Sequence, residues 1–133
     1  MLIEEYFVHL ERTFASCPYV VQTTFTKEKR APHIGFVKGT IGFSQGIELF
    51  LMEFVRTQPR LVKTKYRYHC QDANGKLLFR YDNAPHHRIS TFPHHKHVRT
   101  VAEGETIVAS SPPSIERLVD EVVDLIEQTT QDS

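Results

Sequence analysis

The sequence predicts an α+β fold, with an antiparallel, curved meander sheet of five to six strands flanked by an N-terminal and a C-terminal helix. Three observations carry this expectation. Apolar residues recur at helical spacing only near the two ends of the chain. The stretch between them is β-branched and aromatic. Two turn signals, Gln45-Gly46 and Asn74-Gly75, divide that stretch into hairpins. One domain over residues 1–133 accommodates all three.

The elements follow in order. In "IEEYFVHLERTFA", Ile3, Tyr6, Phe7, Leu10 and Phe14 form one apolar stripe, and Pro18 stops the helix. "YVVQTTFT" reads as a strand, and "KEKRAPH" as the loop leaving it. "IGFVKGTIGF" and "IELFLMEFV" pair about Gln45-Gly46; a two-residue loop there sets Lys38 opposite Glu53. The Asn74-Gly75 turn sets Cys70 opposite Phe79, Tyr68 opposite Tyr81, His69 opposite Arg80 and Arg67 opposite Asp82. Alternation then sends Tyr66, Tyr68, Cys70, Leu77, Phe79 and Tyr81 to the core. Lys65, Arg67, His69, Gln71, Arg80 and Asp82 form the reverse, mainly cationic face. A loop rich in histidine follows, then a short strand around Thr106–Ala109. The closing helix, "SIERLVDEVVDLIEQ", buries Ile115, Leu118, Val122 and Leu125 and turns five acids outward.

Composition narrows the function. Forty per cent hydrophobic and 24% charged residues suit a folded globule. No apolar run reaches the ~20 residues that span a bilayer, so no membrane partner is expected. The acidic N-terminus lacks the basic region of a signal peptide. Cys17 and Cys70 form no C-x-x-C pair and suit a thiol-reducing cytoplasm. Net charge is zero, yet residues 56–99 hold ten Lys/Arg against Asp72 and Asp82, together with six of the eight histidines. Such a division points to an anionic partner, RNA being the expected one.

The histidines concentrate in "YDNAPHHRISTFPHHKH", where His86, His87, His94, His95 and His97 fall within seventeen residues. Zinc needs three or four converging ligands. His95 and His97 share a face if extended, with His86 or Asp82 as a third ligand, but adjacent pairs cannot both point inward and the surrounding cations repel a metal. No metal and no other cofactor is expected. Metal-free RNA cleavage fits better: it needs a base for the 2′-hydroxyl, an acid for the leaving 5′-oxygen and cations for the phosphorane. Histidine, with a pKa near 6.5, serves as either acid or base. For any one histidine a solvated loop position is the plainer reading. Five imidazoles beside a basic strand pair exceed what solubility requires.

"KYRYHCQDANGKLLFRYDNAPHH", "STFPHHKHV" and, upstream, "GTIGFSQGIELFLMEFV" together resemble the TumE family, small toxins of prokaryotic toxin–antitoxin operons. The resemblance implies a cytoplasmic toxin neutralised by a cognate antitoxin protein, commonly one with a DNA-binding helix-turn-helix. It supplies no catalytic assignment. Arg99 stands where the family pattern usually has Gly.

The reading from these residues is a small, metal-independent endoribonuclease toxin. His86 and His95 are the first choices as essential imidazoles, with His69, His87, His94 and His97 completing the acid–base pool. Arg67, Arg80 and Lys96 would contact phosphate, with Lys65 at the periphery. A homodimer is allowed. The rival reading is a non-catalytic module binding nucleic acid or antitoxin through the same face; a metal-dependent nuclease ranks third, because Asp82 is the sole acid inside the site.

Overall fold

A computed structural model of the chain describes residues 1–84, 93–100 and 104–131. Its first helix, α1, spans Ile3–Ala15 and buries the expected stripe of Ile3, Tyr6, Phe7, Leu10 and Phe14. The Glu5 carboxylate turns back to accept the Leu2 backbone N–H at 2.9 Å, satisfying one of the donors that a helix start leaves open. The last helix, α2, spans Ile115–Gln131. Ser114 caps it, with Oγ accepting the Arg117 N–H at 3.2 Å. Ile115, Leu118, Val122 and Ile126 are its buried residues, while Leu125 is packed only at the core's margin.

Between the helices run seven antiparallel strands in sequence order: β1 Val20–Ala31, β2 Ile34–Phe43, β3 Glu48–Arg56, β4 Val62–Gln71, β5 Leu77–Asp82, β6 His95–Thr100 and β7 Gly104–Ala109. The meander is as expected and the strand number exceeds it. Two features account for the difference in strand content. "KEKR" continues β1 instead of looping, because Lys27 and Lys29 reach Glu11 and Glu4 of α1 and Lys27, Glu28 and Lys29 pair in turn with Val37, Phe36 and Gly35 of β2. His95–His97, expected in a loop, begin β6, because β5 offers Arg80, Tyr81 and Asp82 as ladder partners.

The hairpin of β4 and β5 has the expected register, with Cys70↔Phe79, Tyr68↔Tyr81, His69↔Arg80 and Arg67↔Asp82. Its turn is longer than two residues. Gly75, at φ +81°, donates its N–H to the Asp72 carbonyl at 3.0 Å, and a register shift beside Cys70 restores the pairing. Both helices pack on the face that holds Tyr66, Tyr68, Cys70, Phe79 and Tyr81, all buried.

The hairpin of β2 and β3 departs from expectation. Its loop is Ser44-Gln45-Gly46, with φ of 66° at Gln45 and 75° at Gly46. Lys38 therefore faces Met52, and Glu53 faces Val37. A slip of one residue exchanges the two faces of a strand. Glu53 consequently points at the helices and is fully buried. There Tyr6 Oη donates to its Oε1 at 2.5 Å, Tyr68 Oη donates to its Oε2, and the Lys63 ammonium lies 3.2 Å away. Lys63 also donates to the Pro113 carbonyl at 2.8 Å, joining this network to the start of α2. Burial and the adjacent Glu53 charge push both phenols far above their ordinary pKa.

Candidate active site

The sheet face away from the helices carries two adjacent cross-strand rows. One runs Phe50, His69, Arg80, His97 across β3 to β6; the next runs Met52, Arg67, Asp82, His95. Neighbouring strands lie about 4.8 Å apart, so side chains of one row are brought side by side on this face. The three hairpin registers thus collect His69, His95, His97, Arg67 and Arg80 in one patch, with Lys65 one row further along β4. A cavity of about 360 Å³ opens here, lined among others by Lys65, Arg67, Arg80, Asp82, His95 and His97.

Asp82 anchors the patch. His95 Nε2 lies 2.7 Å from its Oδ1, and His95 Nδ1 lies 2.9 Å from the Pro93 carbonyl. Both ring nitrogens thus face acceptors, which fixes the orientation of the ring. His95 is 1% exposed, so it holds Asp82 in place from inside the sheet face. Asp82 Oδ2 in turn stands 3.6 Å from Arg80 Nε and 3.7 Å from His97 Nε2.

Arg80 occupies the centre. One terminal nitrogen is 3.1 Å from His97 Nδ1 and 3.2 Å from His97 Nε2, so it rests against the imidazole instead of on a single lone pair. The same nitrogen lies 3.6 Å from Glu105 on β7. Arg80 Nε is buried and, among the described residues, is the one such side-chain atom without a hydrogen-bond partner. An unsatisfied buried N–H is costly and therefore marks a place where an acceptor is missing.

The flanking imidazoles differ from each other. His97 Nδ1 lies 3.1 Å from Glu105 Oε1, while burial and the Arg80 charge together lower its pKa against the pull of Asp82. His69 Nε2 lies 3.2 Å from Gln71 Oε1; in the tautomer that carries its proton on Nε2 this contact is a hydrogen bond and Nδ1 keeps its lone pair. Burial lowers the His69 pKa too, with Arg80 and Arg67 adding to the effect. Both rings are neutral at pH 7.

Other candidates lie elsewhere. His94 and Lys96 alternate with His95 and His97 and point to the helix side. His94 stacks on Tyr66 with ring centroids 5.8 Å apart, its Nδ1 3.0 Å from the phenol oxygen, and burial lowers its pKa. Lys96 pairs with Glu121 of α2 at 2.5 Å; that bond and Tyr81 keep its pKa raised although burial opposes it. His86 and His87 lie outside the described residues. Glu105 was not singled out from sequence, and Gln71 was placed on the cationic face without a role in the site. Gln71 was readable as the residue two beyond His69 on the same face, whereas Glu105 required a pairing for β7 that no turn signal specified.

Asp82, His95 and His97 offer ligand atoms within 4.8 Å of one another, the size of a cation site. The donor chemistry fits poorly, because the Arg80 guanidinium already rests on His97 and beside Asp82, and Arg67 and Lys65 line the same cavity. Their charge does electrostatically what a metal would do. The arrangement as it stands can bind an oxyanion at Arg80 and offer it an imidazole from either side.

Among known proteins, a family model described as Toxin TumE matches residues 10–130. No curated protein matches the chain, and no solved structure does. Among the described residues no helix is long and apolar enough to cross a membrane.

Proposed function

The chain belongs to the TumE toxin family, and on that premise we propose that it is the toxin of a type II system that cleaves RNA without a metal. Membership implies an antitoxin partner; in this reading it is a protein, commonly with a helix-turn-helix, and both act in the cytoplasm. The observation that carries the reading is the unsatisfied Arg80 Nε, set between two imidazoles of lowered pKa.

A phosphodiester bound at the Arg80 guanidinium lies between His69 and His97, whose strands are about 10 Å apart. His69 Nδ1 takes the proton of the 2′-hydroxyl as that oxygen attacks phosphorus. The bond from phosphorus to the 5′-oxygen breaks, and His97, in its protonated form, gives its proton to the leaving oxygen. Arg80 stabilises the dianionic phosphorane, and Arg67 and Lys65 hold neighbouring phosphates. His95 acts through Asp82 as a positioning residue. The product carries a 2′,3′-cyclic phosphate.

Incubating the purified protein with end-labelled single-stranded RNA in EDTA tests this. Cleavage leaving cyclic phosphate ends is the expected result. Cleavage only after divalent metal is restored supports the metal-dependent reading instead, and no cleavage under either condition leaves a binding module.

A further inference from the structure

We propose that Phe50 and Phe54 form a base-stacking track beside the cleavage row, which makes single-stranded RNA the substrate; this rests on the ribonuclease reading of that row. On β3 the residues facing away from the helices are Glu48, Phe50, Met52, Phe54 and Arg56, and the middle three form an apolar run in which Phe50 is 37% exposed. The neighbours of these three on β4 are His69, Arg67 and Lys65. Apolar and cationic side chains thus run in two parallel columns, with about 6–7 Å between successive members of each.

Charge says what this face takes. Among the described residues, Lys38, Lys65 and Arg67 form no ion pair, whereas Lys27, Lys29 and Arg30 on edge strand β1 pair with Glu11, Glu4 and Glu28. Lys65 stands 6.0 Å and Arg30 5.4 Å from the Phe54 ring, so the apolar column is fringed by positive charge. An antitoxin could cover an apolar face, but an aromatic column beside free cations is the arrangement that single-stranded nucleic acid uses, bases on rings and phosphates on cations.

A groove of about 350 Å³ surrounds Phe50 and includes Lys38, Thr40, Arg67, His69 and Gln71. Phe50 tilts against His69 with centroids 6.1 Å apart, so a base stacked on Phe50 places its phosphate next to the Arg80 row. Thr40 stands opposite Phe50 on β2. Its hydroxyl and the amide nitrogen of Gln71, whose oxygen faces His69, can read the edge of that base. A duplex keeps its bases stacked on each other and cannot use the track.

The test uses an all-2′-deoxy oligonucleotide containing 2-aminopurine, which cannot be cleaved by 2′-attack, free or annealed into a duplex. The single strand should bind with quenched fluorescence and the duplex should not. Phe50→Ala should weaken binding by about five- to a hundredfold, Phe54→Ala by less, and Phe50→Trp should restore it, all with unchanged thermal midpoints. Unaltered affinity in both alanine variants, or equal binding of duplex, overturns the track. Unaltered affinity with lost capture of the antitoxin assigns the column to protein docking and also overturns it. Binding as expected without cleavage of the matching RNA leaves the track standing and removes the ribonuclease reading.

Discussion

Arg80 and His97 stand opposite each other on β5 and β6, with a guanidinium nitrogen 3.1 and 3.2 Å from the two imidazole nitrogens. A fixed positive charge at this distance disfavours protonation of the ring. Arg80→Met should therefore raise the His97 pKa, followed by NMR titration of its ring protons, while Asp82→Asn should lower it further. If Arg80→Met leaves the titration where it was, the contact is not one of the causes of the shift. The same substitution should reduce RNA cleavage by about 10²–10³-fold, the usual effect of removing one preorganised oxyanion donor.

The pH dependence of cleavage follows from the same pair. Base and acid are both imidazoles of lowered pKa. The productive form has one neutral and one protonated, so the maximum of kcat/KM should fall below about 6.5, the ordinary histidine value. A maximum above pH 7.5 would require a different acid.

Stability should move in the opposite sense. His69, His94 and His97 hold fewer protons in the folded chain than in the unfolded chain, because burial lowers each pKa. Their neutral forms are compatible with full stability above about pH 6.5, and stability is lost as the pH falls below it, where only the unfolded chain takes up the protons. Urea midpoints should decline from pH 7.5 to pH 5.5. A midpoint that rises over this window would contradict the lowered values.

Binding electrostatics separate the two groups of cations. Lys65→Glu with Arg67→Glu removes two charges that lack acidic partners, whereas Lys27→Glu with Lys29→Glu alters charges that face Glu11 and Glu4. The first pair should weaken RNA binding steeply and reduce the salt slope by about 0.7 per lost contact. The second should leave the slope unchanged. Equal slopes would place the RNA elsewhere.

What the sequence showed and what it hid divide along a physical line. Asn74-Gly75 demands a tight turn, and the turn fixes every pair from Arg67↔Asp82 to Cys70↔Phe79; hence Arg67, His69, Arg80 and Asp82 could be placed together. Gln45-Gly46 allows loops of two or three residues, and alternation alone could not choose between them. Glu53 was expected opposite Lys38 for that reason. His95 and His97 were expected on one face if extended, and β6 confirms it, but the same alternation takes His94 and Lys96 to the helix side. Pairing of β7 brings Glu105 to the site through a contact that no local pattern announces.

Glu53 is where the unread register has its largest energetic consequence. Its carboxylate, itself fully buried, accepts from Tyr6 and Tyr68 and pairs with Lys63. Glu53→Ala strands the ammonium and two hydroxyls, and should cost about 3–5 kcal/mol, the range for breaking one side of a buried pair. The double substitution Glu53→Leu with Lys63→Met removes both charges together, and should recover much of that loss because no uncompensated charge remains. Glu53 points to the helices, away from the row of His69, Arg80 and His97, so cleavage per folded molecule should stay within about twofold in the double variant. Chemical denaturation of the three proteins, with activity normalised to the folded fraction, decides the matter. A double variant no more stable than Glu53→Ala would show that hydrogen bonds to the tyrosines, not the ion pair, carry the stabilisation.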